Sequence, residues 1–165
     1  MPRVYCDMDG VLVDLLEGYR NIHPENKCLT DMHNDGDEKW DVAKPVNGFW
    51  ATLPKMPDVD LLLDFFQNLV KPEKLFVLSA RQHLFPKCDE EKVLWLINNA
   101  PVFNITQARI VNRKEKIQYA VQDDGTQNIL VDDYEKNIKE WTNAGGFGIL
   151  HTSADSTIDQ LLQVV

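Results

Sequence analysis

The amino-acid sequence contains no apolar run that approaches the ~20 residues of a membrane-spanning helix. Its N-terminus also lacks the apolar core of a secretory signal peptide, and the chain has no internal repeat and no low-complexity tract. These absences argue against a membrane protein, a secreted protein and a repeat protein. We therefore expect a cytoplasmic protein that makes no contact with a membrane.

Cysteine and basic residues are both scarce. Because the three cysteines, Cys6, Cys28 and Cys88, are odd in number and form no CxxC pair, we expect reduced thiols rather than a disulfide framework. The 17 lysine and arginine residues are outnumbered by 26 aspartate and glutamate residues, which gives a formal net charge of −9. This charge argues against extended contact with nucleic acid, but one metal ion and one lysine can still bind a small anion.

The sequence does contain enough apolar residues for one domain. It has 165 residues, of which 44% are hydrophobic. Short apolar runs that predict strands alternate with segments whose apolar residues follow helical spacing; the strands begin near Arg3, Lys74, Ala108, Asn128 and Phe147. This alternation predicts an α/β fold with a parallel sheet that is covered by helices on both faces.

One polar segment with many turn-forming residues interrupts this alternation. Because proline and glycine recur in it, we expect a single domain with a core of about residues 1–16 and 58–165 and an insertion of about residues 17–57. The insertion contains two adjacent aromatic residues, Phe49 and Trp50. These residues either form the core of the insertion or line a pocket for a flat apolar group.

An acidic run in the insertion resembles the front of a calcium-binding EF-hand loop that starts at Asp31. The third position of that loop is His33, and the twelfth, where a bidentate glutamate is required, is Val42. We therefore expect a solvated acidic loop and no calcium site.

Two carboxylates follow the first predicted strand. Asp7 and Asp9 would point the same way from the end of this buried strand, where a charge must be paired, hydrogen-bonded or bound to a metal. In open α/β sheets this end of the strands is where ligands bind. The alternative is an Asp-Gly turn with solvated acids.

Polar side chains also lie at or near the ends of three other predicted strands. These residues are Ser79, Asp132 and Asp133, with Lys114 and Lys116 just after the third strand. Right-handed crossovers bring the carboxyl ends of parallel strands to one edge, so we expect these groups to meet Asp7 and Asp9 there. Clustered carboxylates favour Mg²⁺, and a serine with a lysine beside it suits a phosphoryl group. Taken singly, a serine here is usually a cap and a lysine is usually solvated.

The order of these groups separates two classes of phosphate-handling protein. Receiver domains of phospho-signalling use a similar set of residues, but there the acidic pair comes first and the phosphorylated aspartate follows a later strand. In this chain the pair Asp132 and Asp133 comes late, which disfavours a receiver domain.

The segments DMDGVLVD, LSAR, the lysine of RKEK and ILVDD resemble the four ordered motifs of the haloacid dehalogenase-like (HAD) hydrolase superfamily. The DxDG form is similar to its phosphatase branch. The resemblance implies a Rossmann-like, three-layer parallel sheet with a small helical cap of the C1 type inserted after the first strand. This cap corresponds to the predicted insertion and would exclude water from the site.

A more local resemblance concerns the substrate. NGFWATLPKMPDVDLLLDFF is similar to the segment of 5′(3′)-deoxyribonucleotidases that follows their cap. The chain departs from these enzymes at LSAR, where a Thr-Ser-Pro type sequence is usual, and at Tyr134, where arginine is common. LSAR is also similar to the Ser-Gly-Arg of polynucleotide 3′-phosphatase domains.

The superfamily resemblance implies the roles of the four acids. Asp7 would be the nucleophile that forms an aspartyl-phosphate, and Asp9 would be the general acid and base. Mg²⁺ would be held by Asp7, by the backbone carbonyl of Asp9 and by Asp133. Asp132 would support Asp133 or bind the metal through water.

The same resemblance implies residues that contact the phosphate. Ser79 would hydrogen-bond a phosphate oxygen, and a lysine would offset the charge on the phosphate and the nucleophile. We choose Lys116 for this role because its spacing to Tyr119 and Ala120 resembles the superfamily better, with Lys114 as the alternative.

The expected substrate is a small phosphorylated molecule, preferably a deoxynucleoside monophosphate. Phe49 and Trp50 would stack on or enclose its base, and Ala80 and Arg81 would line the same site. The alternatives are a sugar-phosphate phosphatase, a polynucleotide 3′-end phosphatase, and a signalling or scaffold domain that binds phosphate without turnover.

Overall fold

A computed structural model describes residues 1–23 and 36–165. Residues 24–35 lie outside the described part of the chain, and with them Cys28 and the EF-hand-like positions Asp31 and His33. The predictions for these residues therefore remain predictions.

The molecule is built around one five-stranded sheet in which all neighbouring strands are parallel. The strands are β1 (Val4–Cys6), β2 (Leu75–Ala80), β3 (Ala108–Val111), β4 (Ile129–Asp132) and β5 (Phe147–Leu150). Their order across the sheet is β3-β2-β1-β4-β5, so β1 lies in the centre. This arrangement confirms the predicted α/β fold class.

Helices connect the strands along the chain. The α-helices are α1 (Leu15–Ile22), α2 (Val59–Leu69), α3 (Cys88–Asn99), α4 (Glu135–Asn143) and α5 (Ala154–Leu161). Short 3₁₀ helices cover Asp37–Val42, Pro72–Lys74, Ile105–Gln107 and Arg113–Tyr119. The last of these corrects a prediction, because the spacing of residues 114–121 predicts an α-helix and the structure has a 3₁₀ helix that begins with a capping box between Asn112 and Glu115.

The apolar core lies on both faces of the sheet. Because side chains alternate along a strand, Val4 and Cys6 of β1 belong to a large apolar cluster on one face and Tyr5 to a smaller cluster on the other. Helices α2, α3 and α5 contribute to the large cluster, and α4 contributes Trp141 to the smaller one. The result is the predicted three-layer arrangement of helices, sheet and helices.

The described part of the predicted insertion packs onto α3. The backbone N–H of Trp50 donates to the carboxylate of Glu91 (3.0 Å), and the indole N–H of Trp95 donates to the carbonyl oxygen of Leu53 (2.8 Å). Residues 36–57 also share the large apolar cluster with the sheet, through buried rings that include Trp40. This segment is therefore held on the core by both apolar and polar contacts.

In residues 1–23 and 36–165, the structure contains no helix with the length and apolar character needed to cross a membrane.

Candidate active site

The end of β1 positions the first acid. The backbone N–H of Asp7 donates to the carbonyl oxygen of Val131 (2.9 Å), which extends the pairing of β1 with β4 by one residue. A tight turn follows, in which the Met8 carbonyl accepts hydrogen bonds from three successive N–H groups, those of residues 11–13. The Asp7 side chain is only 6% exposed, so its carboxylate lies in a dry environment at the carboxyl edge of the sheet.

A buried lysine connects Asp7 to the late acidic pair. The ammonium of Lys116 lies 3.1 Å from Asp7 Oδ1 and donates to Asp132 Oδ2 at 2.7 Å. Burial lowers the pKa of Lys116, but the negative charges of Asp7 and Asp132 outweigh that effect, so its pKa is raised and it stays charged. Lys114 is exposed, which leaves Lys116 as the lysine that reaches the acids.

The pKa of Asp7 is also shifted by burial and by the neighbouring charges. Burial raises the pKa of Asp7 to about 8, and although the charge of Lys116 lowers it, the charges of Asp132, Asp9 and Asp133 add to the rise. In the metal-free protein, the raised pKa means that the Asp7 carboxyl holds a proton more readily than an ordinary aspartate does.

Asp132 is held in place by hydrogen bonds from the protein. Its Oδ2 accepts from the side-chain amide of Asn137 (3.0 Å) as well as from Lys116, and its Oδ1 accepts from the backbone N–H of Tyr134 (2.9 Å). Asn137 is in turn oriented by Arg113, whose guanidinium donates to the Asn137 amide oxygen (2.9 Å). These contacts engage both oxygens of Asp132 and fix the direction of its carboxylate.

Asp133 lies against the turn that follows β1. Gly10 has a positive φ of 81°, and a β-carbon built there would lie 2.0 Å from Asp133 Oδ2. Only glycine therefore allows the turn and this carboxylate to approach so closely. Carboxylate oxygens of Asp7, Asp132 and Asp133 all lie within 4.8 Å of one another.

The cluster of these three carboxylates is suited to a divalent cation. When all three acids are ionised, they carry three negative charges against the one positive charge of Lys116, and a bound cation would offset this excess in a mostly buried site. Hard oxygen donors at this separation are the ligands that Mg²⁺ prefers. Both the donor chemistry and the charge balance thus fit the predicted metal.

The second acid of the turn pairs with a residue that the sequence did not reveal. Asp9 Oδ2 accepts from the ammonium of Lys92 (2.7 Å), which also donates to Ser79 Oγ (2.8 Å). Lys92 lies on α3 and is only 1% exposed. The sequence signal that could have identified Lys92 is its spacing. It lies four residues after Cys88 and three before Trp95, which places it on the buried face of the helix.

A cavity of about 140 Å³ opens beside these acids. Its lining includes Asp7, Asp9, Lys116, Trp50, Ala80, Arg81 and Arg113. The structure therefore brings several of the predicted site residues to one cavity, whereas Ser79, Asp132 and Asp133 are not part of its lining, and Ser79 and Asp132 are fully buried.

Two of the predicted contact residues have side chains that other parts of the protein already engage. Phe49 is 2% exposed and its ring stacks on Phe85 (centroids 5.8 Å apart), so it contributes to the core beside the cavity and is absent from the cavity lining. Arg81 reaches the cavity, but its guanidinium forms a two-point ion pair with Asp89, with Nε donating at 2.8 Å.

Comparison with known proteins defines the class of fold. No protein-family model and no curated protein sequence matches the chain. Among solved structures, a hydrolase from Streptococcus pneumoniae TIGR4 is similar with a TM-score of 0.58 and 15% identity, over 98% of each chain. A HAD-superfamily hydrolase of subfamily IA, variant 1, from Geobacter sulfurreducens PCA has a TM-score of 0.56 and 14% identity, over 98% of this chain and 96% of that one. The chain thus shares the fold of HAD-superfamily hydrolases along nearly its whole length.

Proposed function

We propose that the protein is a Mg²⁺-dependent phosphomonoesterase of the HAD type that hydrolyses nucleoside monophosphates through an aspartyl-phosphate. The observation that carries this proposal is the cluster that Asp7, Asp132, Asp133 and Lys116 form beside a cavity whose lining includes Asp7, Asp9 and Lys116. The shared fold with HAD hydrolases is consistent with it but does not by itself define a reaction.

Mg²⁺ would be held by Asp7, Asp133 and the backbone carbonyl of Asp9. The choice of Asp133 is supported by the state of Asp132, whose two oxygens already accept hydrogen bonds from three protein groups. Asp132 would then orient Lys116 and support the site from behind. When bound, the cation would offset the negative charge of the phosphate and of the carboxylates.

Asp7 would attack phosphorus, with formation of an Asp7–phosphorus bond and cleavage of the bond to the leaving oxygen. Within residues 1–23 and 36–165, the ion pair with Lys116 (3.1 Å) and the hydrogen bond from the Met8 N–H (2.8 Å) both involve Oδ1 of Asp7. They fix the carboxylate while Oδ2 is left for the reaction. Lys116 would also balance charge as the phosphate approaches.

Asp9 would donate a proton to the leaving alkoxide and then accept one from the water that attacks the aspartyl-phosphate. That second attack breaks the bond between Asp7 and phosphorus, releases inorganic phosphate and returns both acids to their starting states. Asp9 lines the cavity directly beside Asp7, as this role requires. Ser79 would donate a hydrogen bond to a phosphate oxygen.

The nucleotide substrate is supported by the wall that the insertion contributes. Trp50 lines the cavity but is only 2% exposed, which favours enclosing a base with the edge of the ring over stacking on its full face. We expect Trp50→Ala to raise KM for a deoxynucleoside monophosphate several-fold and to leave KM for a small sugar phosphate unchanged. Equal KM changes for both substrates would contradict a role in base recognition.

The test of the reaction is phosphate release from a panel of substrates, with Mg²⁺ and with EDTA. The panel contains nucleoside 5′- and 3′-monophosphates with ribose or deoxyribose, sugar phosphates and 3′-phosphorylated DNA, and Asp7→Asn is the control. We expect Mg²⁺-dependent release from deoxynucleoside monophosphates by the wild type and none by Asp7→Asn. Preference for another class would correct the substrate, and no release from any member would support a binding domain without turnover.

A further inference from the structure

The ammonium of Lys92 is fully used by the protein. It donates to Asp9 Oδ2 (2.7 Å), to Ser79 Oγ (2.8 Å) and to the carbonyl oxygen of Ala80 (2.8 Å). An ammonium has three N–H donors, so no donor remains for a substrate. Since Lys92 is only 1% exposed, it acts from behind the cavity.

The contact with Asp9 distinguishes the two oxygens of that carboxylate. Oδ2 is occupied by Lys92, whereas Oδ1 is buried and accepts no hydrogen bond from any residue in the described ranges 1–23 and 36–165. A buried acceptor without a donor is unfavourable unless a ligand supplies one. The attacking water would supply that donor at Oδ1, and the same oxygen, when protonated, would donate to the leaving oxygen of the substrate.

The contact with Ser79 fixes the direction of a second group. Because Ser79 Oγ accepts a hydrogen bond from Lys92, the hydroxyl hydrogen must point elsewhere. Ser79 lies at the end of β2 beside Ala80, which lines the cavity. Lys92 therefore turns Ser79 into a donor toward the phosphate.

We infer that Lys92 is a positioning residue that aligns Asp9 for proton transfer and Ser79 for phosphate binding, an inference that rests on the proposed phosphatase function. The ammonium lies 4.9 Å from the centroid of the Trp50 ring, so the same side chain also contacts the aromatic wall of the cavity. Lys92 thus joins the chemistry of the site to the segment that encloses the substrate.

A double-mutant cycle tests this inference with Lys92→Met, Asp9→Asn and the double variant. The measured quantities are kcat and KM for p-nitrophenyl phosphate and for the best nucleoside monophosphate. If Lys92 acts through Asp9, Lys92→Met lowers kcat for the nucleotide roughly 10- to 100-fold with KM within about 3-fold, as expected for a misplaced group. The two backgrounds are compared on one substrate, p-nitrophenyl phosphate, for which Asp9 would still act as the base for the attacking water, and in the Asp9→Asn background the same change should cost less than about 3-fold.

Lys87→Met is the matched control, because Lys87 is an exposed lysine next to the same helix, and it should leave kcat and KM unchanged. If Lys92→Met does not fold, Lys92→Gln replaces it, because the glutamine amide can still donate to Asp9 and Ser79. The double variant lacks both buried charges, so neither is left without its partner. Equal losses in both backgrounds, or wild-type kcat in Lys92→Met, would overturn the inference. A wild type that releases no phosphate would instead overturn the proposed function, so the two failures are distinct.

Discussion

At the scale of single residues, Gly10 is required both by the backbone conformation of its turn and by the position of the Asp133 carboxylate. Its φ of 81° and its contact with Asp133 both exclude a β-carbon. We expect Gly10→Ala to displace the Asp133 carboxylate and to lower both Mg²⁺ affinity and kcat by at least 10-fold, in addition to about 1 kcal/mol of backbone strain. Isothermal titration calorimetry with Mg²⁺ and steady-state kinetics measure these effects.

Gly125 provides the matched control for Gly10. Its φ is 83°, but a β-carbon there would meet nothing within 4 Å. We expect Gly125→Ala to cost the same ~1 kcal/mol of backbone strain in the free energy of unfolding. Its Mg²⁺ affinity and kcat should equal those of the wild type. A comparable loss of Mg²⁺ affinity in both variants would assign the effect to strain rather than to displacement of Asp133.

Asp7 leads to a second prediction at this scale, which concerns how the stability of the metal-free protein depends on pH. Its pKa is about 8 in the folded protein against an ordinary value of 3.8, so the folded state holds a proton that the unfolded state has lost between these values. The stability of the wild type therefore falls as pH rises through this window, with a slope of at most ~1.4 kcal/mol per pH unit from this group. In EDTA, we expect the stability advantage of Asp7→Asn to grow from pH 5 to pH 8.

Urea denaturation at several pH values measures this advantage. Asp155→Asn, at an exposed position on α5, should show no growing advantage over the wild type. An advantage of Asp7→Asn that is constant with pH would mean that Asp7 stays ionised in the fold.

Lys92 illustrates which residues of the site could be predicted from sequence. Asp7, Asp9, Asp132 and Asp133 are recognisable because a carboxylate directly after a buried apolar strand is costly unless it is paired or binds a ligand. Lys92 lies within a helix, where a single lysine is ordinarily solvated, and its burial depends on acceptors that come from other parts of the chain. Such long-range pairing cannot be inferred from local spacing.

At the scale of elements, the strands and helices follow from periodicity, while the exceptions follow from tertiary contacts. The strand predicted to begin near Ala108 is β3 (Ala108–Val111) in the structure, and the strand predicted near Phe147 is β5 (Phe147–Leu150). Arg113–Tyr119 is a 3₁₀ helix instead of the predicted α-helix, in a segment whose buried Lys116 contacts Asp7 and Asp132. The local pattern carries no information about that contact.

Asp58 gives a prediction at the element scale. It occupies the N-cap position of α2, but its carboxylate accepts from the backbone N–H of Ala154 (2.6 Å) at the start of α5. Asp58 thus caps a helix 96 residues away in the chain. We expect Asp58→Ala to lower the free energy of unfolding by about 1 kcal/mol and to leave kcat unchanged.

Asp60→Ala is the control for Asp58, because Asp60 lies on the same helix in an exposed pair with Lys55. Its effect on the free energy of unfolding should stay within about 0.5 kcal/mol. Urea denaturation compares both variants with the wild type. Equal losses would show that the cross-helix contact adds nothing beyond surface charge.

At the scale of the whole molecule, the proposed metal site at the carboxylate cluster predicts that Mg²⁺ affects global stability. A ligand that binds only the folded state stabilises it by an amount that grows with its concentration, about 2.7 kcal/mol at 100 times Kd. We expect Mg²⁺ to raise Tm in a thermal scan and EDTA to reverse the rise. Asp133→Asn should abolish the effect, whereas Asp159→Asn, an exposed substitution on α5, should preserve it. A Tm that does not respond to Mg²⁺ would contradict a metal site at these acids.

The attachment of residues 36–57 to α3 also bears on how such a protein can change its substrate. Glu91 and Trp95 hold the backbone of the insertion, and Lys92, between them, holds Asp9. A chimaera that received only a foreign insertion would lack its matching helix, and the position of Asp9, the proposed general acid and base, would be disturbed with it. The insertion and α3 therefore form one exchangeable unit, and engineered changes of specificity should transfer both together.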